Sequence, residues 1–251
     1  MRFVGGSERV LGRGAQSLVM LHGFGGTRRA WDQVVAHLPG ERYRPLPLDL
    51  PGHGEQVDAP RPITFDGCVH SVLQRSPERF VLAGYSMGGR IALHVALAAP
   101  ARIERLVLIS ATPGILGDAE RAARREADRR LAEAIEGGSI EDFSERWSAQ
   151  PMFLEDPPRT DRLARVDQSS NRPDGLAAAL RGVGTGEMDP LWPRLGELQM
   201  PVTLLAGARD GKFAEIGERM ASALPDARLL VVQAGHRLLF ESPRVVAEAL
   251  S

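Results

Sequence analysis

"GYSMGGR", residues 84–90, stands between an apolar run that reads as a buried strand, Phe80 to Ala83, and one that reads as a helix, Met87 to Ala98. Here a serine has a glycine two residues away on each side, where a strand must turn straight into a helix. That is the pattern of a nucleophile elbow. The turn is so sharp that its neighbours must lack side chains, and the strain aims the hydroxyl into the open. The pentapeptide Gly84-Tyr85-Ser86-Met87-Gly88 is a weak signal by itself in a chain with 27 glycines. Its place after a strand and before a helix carries the reading.

Outward from that point the rhythm is one of short Val/Leu/Ile-rich runs separated by helical segments, which predicts an α/β fold with a mostly parallel sheet covered on both faces. Buried strands are expected at Ser17 to Leu21, Tyr43 to Leu48, Phe80 to Ala83, Arg105 to Ile109, Val202 to Ala206 and Leu229 to Val232. Helices are expected at Ala30 to Leu38, Thr64 to Arg75, Met87 to Ala98, Ala214 to Leu224, and from Arg244 onward. The rhythm fails once, between about Thr112 and Trp192, where arginine-rich helical sequence runs without a strand. The expected organisation is a core of residues 1–111 and 193–251, with 112–192 inserted as a helical cap over the carboxyl ends of the strands.

A serine hydroxyl needs a base, and the base needs a carboxylate to orient it. "QAGHRLLFESP" puts His236 after the last strand, and "LLAGARDGKF" puts Asp210 after the one before it. Serine, acid, histidine is the chain order this architecture requires. Ser110 and Ala111 stand at the other position open to the acid, so Asp210 is preferred. "LHGFGG" follows the first strand, so the amides of Phe24 and Met87 can converge beside Ser86 as an oxyanion hole, at roughly 3 kcal/mol per donor. His22 reads as an orienting residue of that loop, His53 as part of a turn, and His37, His70 and His94 as helix or surface residues. No metal-ligand spacing is present.

The 251 residues carry 31 basic and 32 acidic side chains, and a net charge of -1 offers no affinity for nucleic acid or an anionic membrane. Cys68 is the only cysteine, which excludes an intramolecular disulfide. The opening "MRFVGGSERV" lacks an apolar stretch of signal-peptide length, and no later run is long enough to span a bilayer, so a cytoplasmic location is expected. A single lysine, Lys212, survives among arginines, two residues past the proposed acid.

"LHGFGG", "LDLPGHG", "GYSMGG", "GARD" and "AGH" occur in the order typical of the α/β-hydrolase family, and the chain resembles that family over essentially its whole length. The resemblance implies the α/β-hydrolase fold with a helical cap inserted after the sixth strand, a Ser86–His236–Asp210 triad, and no cofactor. "GYSMGGR", "RAARREADRRLAEAIEGG", "FSERWSAQPMF" and "LAAALRGVGTGEMDPLW" further resemble the pyruvate-eliminating lyase branch of the family. That likeness implies a small, carboxylate-bearing substrate held by Arg90 and Arg124, with Tyr85 and Trp147 in the pocket. It implies a monomer or small homo-oligomer. Most arginines of the cap helix read as a solvated face, with Glu120–Arg124 and Glu126–Arg130 as i,i+4 pairs. One departure stands out: Gln168 occupies the place of a cap arginine in that branch, with Arg165 and Arg172 as the nearby substitutes. The rival expectation is a serine hydrolase that forms an acyl-enzyme on Ser86.

Overall fold

The computed structural model describes residues 15–251, so the reading of the opening segment falls outside the described residues. Six parallel strands form one sheet: β1 (Gln16–Leu21), β2 (Tyr43–Leu48), β3 (Phe80–Tyr85), β4 (Ile103–Ile109), β5 (Val202–Gly207) and β6 (Ala227–Val232), in the spatial order β2-β1-β3-β4-β5-β6. The chain runs out from β1 to β2 and then crosses back to β3, so the order reverses beside β1 and β3. Parallel sheets of this kind present their ligand crevice there, at the carboxyl ends.

The inner strands are mostly apolar because both faces are covered, with polar residues confined mainly to the starts of β1 and β4; β3 and β5 are buried at every residue. β2 and β6, expected to be buried, are instead the sheet edges and are partly exposed. β2 carries Pro45 and Pro47, two residues apart and hence with their missing N–H groups on one side, which an edge tolerates and an interior strand does not. The two cores lie one on each side of the sheet. Leu82, Ile91 and Leu106 belong to one, and Trp31, Val81 and Val107 to the other.

Helices α1 (Asp32–Val35), α2 (Phe65–Arg75) and α3 (Met87–Ala98) join the first four strands. Thr64 caps α2 by accepting from Gly67 N at 3.0 Å, and Cys68 is buried on its inner face. The helix expected from Ala30 to Leu38 is shorter than that, a 3-10 turn at Arg28–Trp31 followed by the four-residue α1. Between β4 and β5 the chain builds α4 (Asp118–Glu136), α5 (Ile140–Ser148), α6 (Pro158–Gln168) and α7 (Pro173–Val183), with no strand. A capping box between Ser139 and Asp142 starts α5, and prolines in the first turn start α6 and α7. Counted along the described strands, this insertion follows the fourth and not the sixth. The core resumes with α8 (Gly211–Ala223), α9 (Leu238–Glu241) and α10 (Pro243–Leu250).

Candidate active site

Ser86 has φ 52° and ψ −110°, a left-handed conformation that a serine adopts only when its surroundings enforce it. The glycines around it are steric necessities. A Cβ on Gly84 would lie 2.4 Å from Gly88 O, and one on Gly88 would lie 2.4 Å from Leu21 O. Those contacts press β3 and α3 against the end of β1, so the elbow exists only with both side chains absent.

His236 and Asp210 arrive from the ends of β6 and β5. The imidazole Nδ1–H donates to Asp210 Oδ2 at 2.6 Å, and Nε2 accepts from the Ser86 hydroxyl across 3.1 Å. Histidine and aspartate are both buried, which keeps water from competing for either bond. This is a proton path from Oγ to an oriented imidazole. Beside it, the amides of Phe24 and Met87 make no hydrogen bond to protein among the described residues, and both residues line the same cavity as Ser86. Two free donors next to a hydroxyl suit developing negative charge.

The loop that carries Phe24 is held by two neutral histidines. His22 Nδ1–H donates to Gly23 O at 2.8 Å while its Nε2 accepts from Leu50 N at 3.0 Å. His53 does the same with Pro51 O and Gly25 N, each at 3.2 Å. Burial lowers the pKa of His22 to about 4 and that of His53 to about 3, and His22 repels a charge on His53 further. The insertion adds its own anchors: Asp167 Oδ2 accepts from Thr27 N at 2.9 Å, and Asn171 Nδ2 donates to Gly25 O at 2.8 Å. Sequence reading placed His22 as an orienting residue and missed His53, Asp167 and Asn171. Only His53 carried a signal, its position within "LDLPGHG".

A cavity of about 950 Å³ opens above Ser86 between the sheet and the insertion, with Phe24, Tyr85, Trp147 and Phe153 among its walls. Arg90 and Arg124 both line it. Arg90 is 7 % exposed and donates through Nη1 to Val183 O at 2.6 Å; burial and the neighbouring Arg124 cation lower its pKa to about 10. Arg124 does not pair with Glu120, as its spacing had suggested, but with the buried Asp128 one turn on, at 2.8 Å. Asp128 thus pairs with Arg124 alone, and Arg90 has no carboxylate partner among the described residues. Arg125, Arg129 and Arg130 behave as a solvated face, with Arg130 3.4 Å from Glu126 as expected, Arg129 bound to Glu126 and Arg125 to Glu187, whereas Arg121 is largely buried between Asp118 and the Ile115 carbonyl.

Gln168 lines not this cavity but a small cleft beside it, which shares Phe24, Tyr85, Trp147 and Phe153 with its wall; it is buried and accepts a hydrogen bond from Ser144 Oγ at 2.6 Å. Its expected substitutes are elsewhere too. Arg165 pairs with Asp161 at 2.7 Å, and Arg172 pairs with Asp58 and Asp174 on the surface. The further cations that do reach the cavity wall are Arg209, Lys212 and Arg219, all on or just before α8.

A strained serine, a buried imidazole–carboxylate pair and two unpaired amides at the carboxyl edge of a parallel sheet define an enzyme of the α/β-hydrolase superfamily. The family model described as "Alpha/beta hydrolase family" matches residues 18–249, and the chain belongs to that family. A Bacillus subtilis (strain 168) protein, provisionally named 2-succinyl-6-hydroxy-2,4-cyclohexadiene-1-carboxylate synthase, is 34% identical over 94% of this chain and 89% of its own length. The Enterobacter sp. (strain 638) protein named as that synthase is 33% identical over 93% of this chain and 90% of its own. MenH from S. aureus superimposes with a TM-score of 0.86 at 33% identity, over 93% of this chain and 91% of that one. Among the described residues no helix is long and apolar enough to cross a membrane, and no cluster of three or more His, Cys, Asp or Glu could hold a metal ion.

Proposed function

We propose that this chain is a carbon–oxygen lyase that eliminates pyruvate from 2-succinyl-5-enolpyruvyl-6-hydroxy-3-cyclohexene-1-carboxylate, giving 2-succinyl-6-hydroxy-2,4-cyclohexadiene-1-carboxylate for menaquinone biosynthesis. The observation that carries this reading is the pair Arg90 and Arg124, of which only Arg124 has a carboxylate partner, in the wall of the cavity that Ser86 also lines. A buried arginine without a carboxylate partner, with a second, partly exposed arginine beside it, suits a substrate bearing carboxylates, since each bidentate arginine contact is charge-assisted. The likeness to the named synthases extends through the insertion as well as the core.

In this reading Ser86 Oγ, relieved of its proton by His236 Nε2, takes a ring proton from the substrate. The electron pair of that C2–H bond forms the C2–C3 double bond, the ring's 3,4 double bond shifts to 4,5, the C5–O bond to the enolpyruvyl group breaks, and the enolate leaving group takes up a proton to become pyruvate. Asp210 stabilises the imidazolium formed on the way. The Phe24 and Met87 amides meet the negative charge that develops as the proton leaves. Tyr85 and Trp147 shape the walls. No electrons are exchanged with a second reactant, so the reaction needs no redox cofactor. We place the enzyme in the cytoplasm, acting as a monomer or small homo-oligomer, with 112–192 as its cap.

The test is to supply the purified protein with the enolpyruvyl substrate and follow pyruvate with a coupled dehydrogenase. Ser86→Ala and His236→Ala are each expected to lower kcat by about a thousandfold or more while the protein stays folded. A stoichiometric burst from a chromogenic short-chain ester, with no pyruvate from the enolpyruvyl substrate, would replace the lyase with a hydrolase working through an acyl-enzyme.

A further inference from the structure

Arg237, the residue after His236, is 3 % exposed, so its charge is out of water and the protein itself must hold it. Its holders all come from the insertion. Nη1 lies 2.9 Å from Asp161 Oδ1 and 3.2 Å from Asp156 Oδ2, and Nη2 donates to Ser148 Oγ at 3.0 Å. The guanidinium carbon sits 4.1 Å from the centre of the Phe153 ring, close enough for a cation–π contact. Thus the end of α5, the turn at Pro151–Phe153, the loop after it and α6 converge on one side chain of the core.

Phe153 is the link to chemistry. Its ring stands edge-on to the His236 imidazole with 5.8 Å between centres, so Arg237 and His236 share one aromatic neighbour. Asp156 lies against the same loop: a Cβ on Gly235 would lie 2.9 Å from Asp156 Oδ1, so a larger residue before His236 would push that carboxylate aside. Burial raises the Asp156 carboxyl to about 6 while Arg237 pulls it back down, so the acid depends on this arginine for its charge.

We infer that Arg237 is a positioning residue that pins the insertion to the loop carrying His236, so that Phe153 holds the imidazole in line between Ser86 and Asp210. The inference rests on the reading of His236 as the proton carrier for Ser86, and it is independent of which substrate is turned over. Four contacts from four segments fix Arg237 in position and orientation. With it gone, Asp156 is left buried and uncompensated, and the segment bearing Phe153 is free to lift.

The experiment uses the full chain with two readouts, each taken at a temperature well below the melting point of every variant. One is kcat and KM for pyruvate release. The other is the far-downfield proton resonance of the His236 Nδ1–H, whose short bond to Asp210 makes it visible by NMR and whose loss in His236→Gln assigns it. Arg237→Met is expected to shift or broaden that resonance and to lower kcat by about tenfold or more, with KM changed less, because misplacing a reacting group acts on the chemical step. Arg237→Lys, which keeps the charge and loses the fork, falls between the two. Asp161→Asn moves both readouts in the same direction and decides the matter if Arg237→Met does not fold, since Asp156 still partners the arginine there. An unchanged resonance and kcat in Arg237→Met, whatever happens to its melting point, overturns the pin. Wild-type protein that releases no pyruvate while its resonance still responds to Arg237→Met overturns the substrate reading and leaves the pin standing.

Discussion

Replacing His53 with glutamine separates its buried, neutral ring from every other titrating group in the molecule. His53 uses both ring nitrogens on backbone groups, so a proton on Nε2 would point at the Gly25 N–H that it now accepts from. Its pKa is lowered to about 3, by burial first and by the nearby His22 second. The folded value lies below the ordinary one, so the stability this residue contributes is full above pH 6.5 and drains away as pH falls toward 3. Between those limits the unfolded chain binds one more proton at this site than the folded one. Stability therefore drops by about 1.4 kcal/mol per pH unit, or about 2.5 kcal/mol from pH 6.5 to 4.5. His22 contributes in the same sense, while Asp156 and Asp167, both raised to about 6, contribute in the opposite sense. Those three remain in the variant, so the difference between the two proteins isolates His53. A glutamine amide can accept from Gly25 N and does not titrate, so His53→Gln is expected to be less stable than wild type at pH 7 by about 1 kcal/mol, from imperfect geometry. It becomes the more stable of the two by pH 4.5. Urea unfolding at four pH values from 7.5 to about 4.5 measures this. Parallel stability curves for the two proteins would refute the buried neutral histidine.

Arg124→Ala leaves Asp128 buried without its cation and is expected to reduce kcat/KM for pyruvate release by about tenfold or more; steady-state kinetics with unchanged values would remove Arg124 from the substrate site. Gln168→Arg is expected to lower thermal stability, by about 2 kcal/mol, without tightening substrate binding, because position 168 is enclosed against Ser144 in the narrow cleft beside the cavity and is not part of the main cavity wall; a lower KM would show that the cleft admits an arginine to the substrate. Arg90→Met is expected to raise the melting temperature of the unliganded protein, by about 1–3 kcal/mol of stability, and to abolish the stabilisation that a dicarboxylate ligand gives the wild type. A lower melting temperature with ligand stabilisation intact would show that Arg90 serves the fold instead.

Local necessity explains which features were legible in the sequence. Gly84 and Gly88 could be read because any side chain there collides with backbone, and Asp210 and His236 because the strands that deliver them fix their chain order. Helix α3 begins and ends at the expected residues since its start is the elbow itself. Legibility ends where several partners are equally available. Arg124 has Glu120 one turn before it and Asp128 one turn after; burial selects Asp128, and spacing could not say so. Tyr43–Leu48 reads as a buried strand from its leucines, whereas its prolines were the sign of an edge. Arg237 sits inside a quoted motif, yet its partners lie 76 and 89 residues away, and no pattern in "AGHRLL" points to them.

The two buried arginines of this site divide its labour. Arg237 has two carboxylates, a hydroxyl and an aromatic face around it, so its desolvation is offset within the protein and its position is determined. Arg90 is nearly as buried but has one carbonyl partner, the Phe65 ring 5.9 Å away, and a second cation beside it. Its lowered pKa, about 10, expresses what that arrangement costs: about 3 kcal/mol of interaction lost by the charged form relative to water. A fold under selection for stability alone would replace such a group with an apolar one of similar volume, as buried ionic groups elsewhere can be replaced without loss. A bound carboxylate placed between Arg90 and Arg124 would supply the missing counter-charge and return much of that energy as affinity. In the proposed reading Arg90 keeps its charge without a counter-ion until substrate arrives, while Arg237, whose charge is already matched, keeps the imidazole where that substrate would meet it.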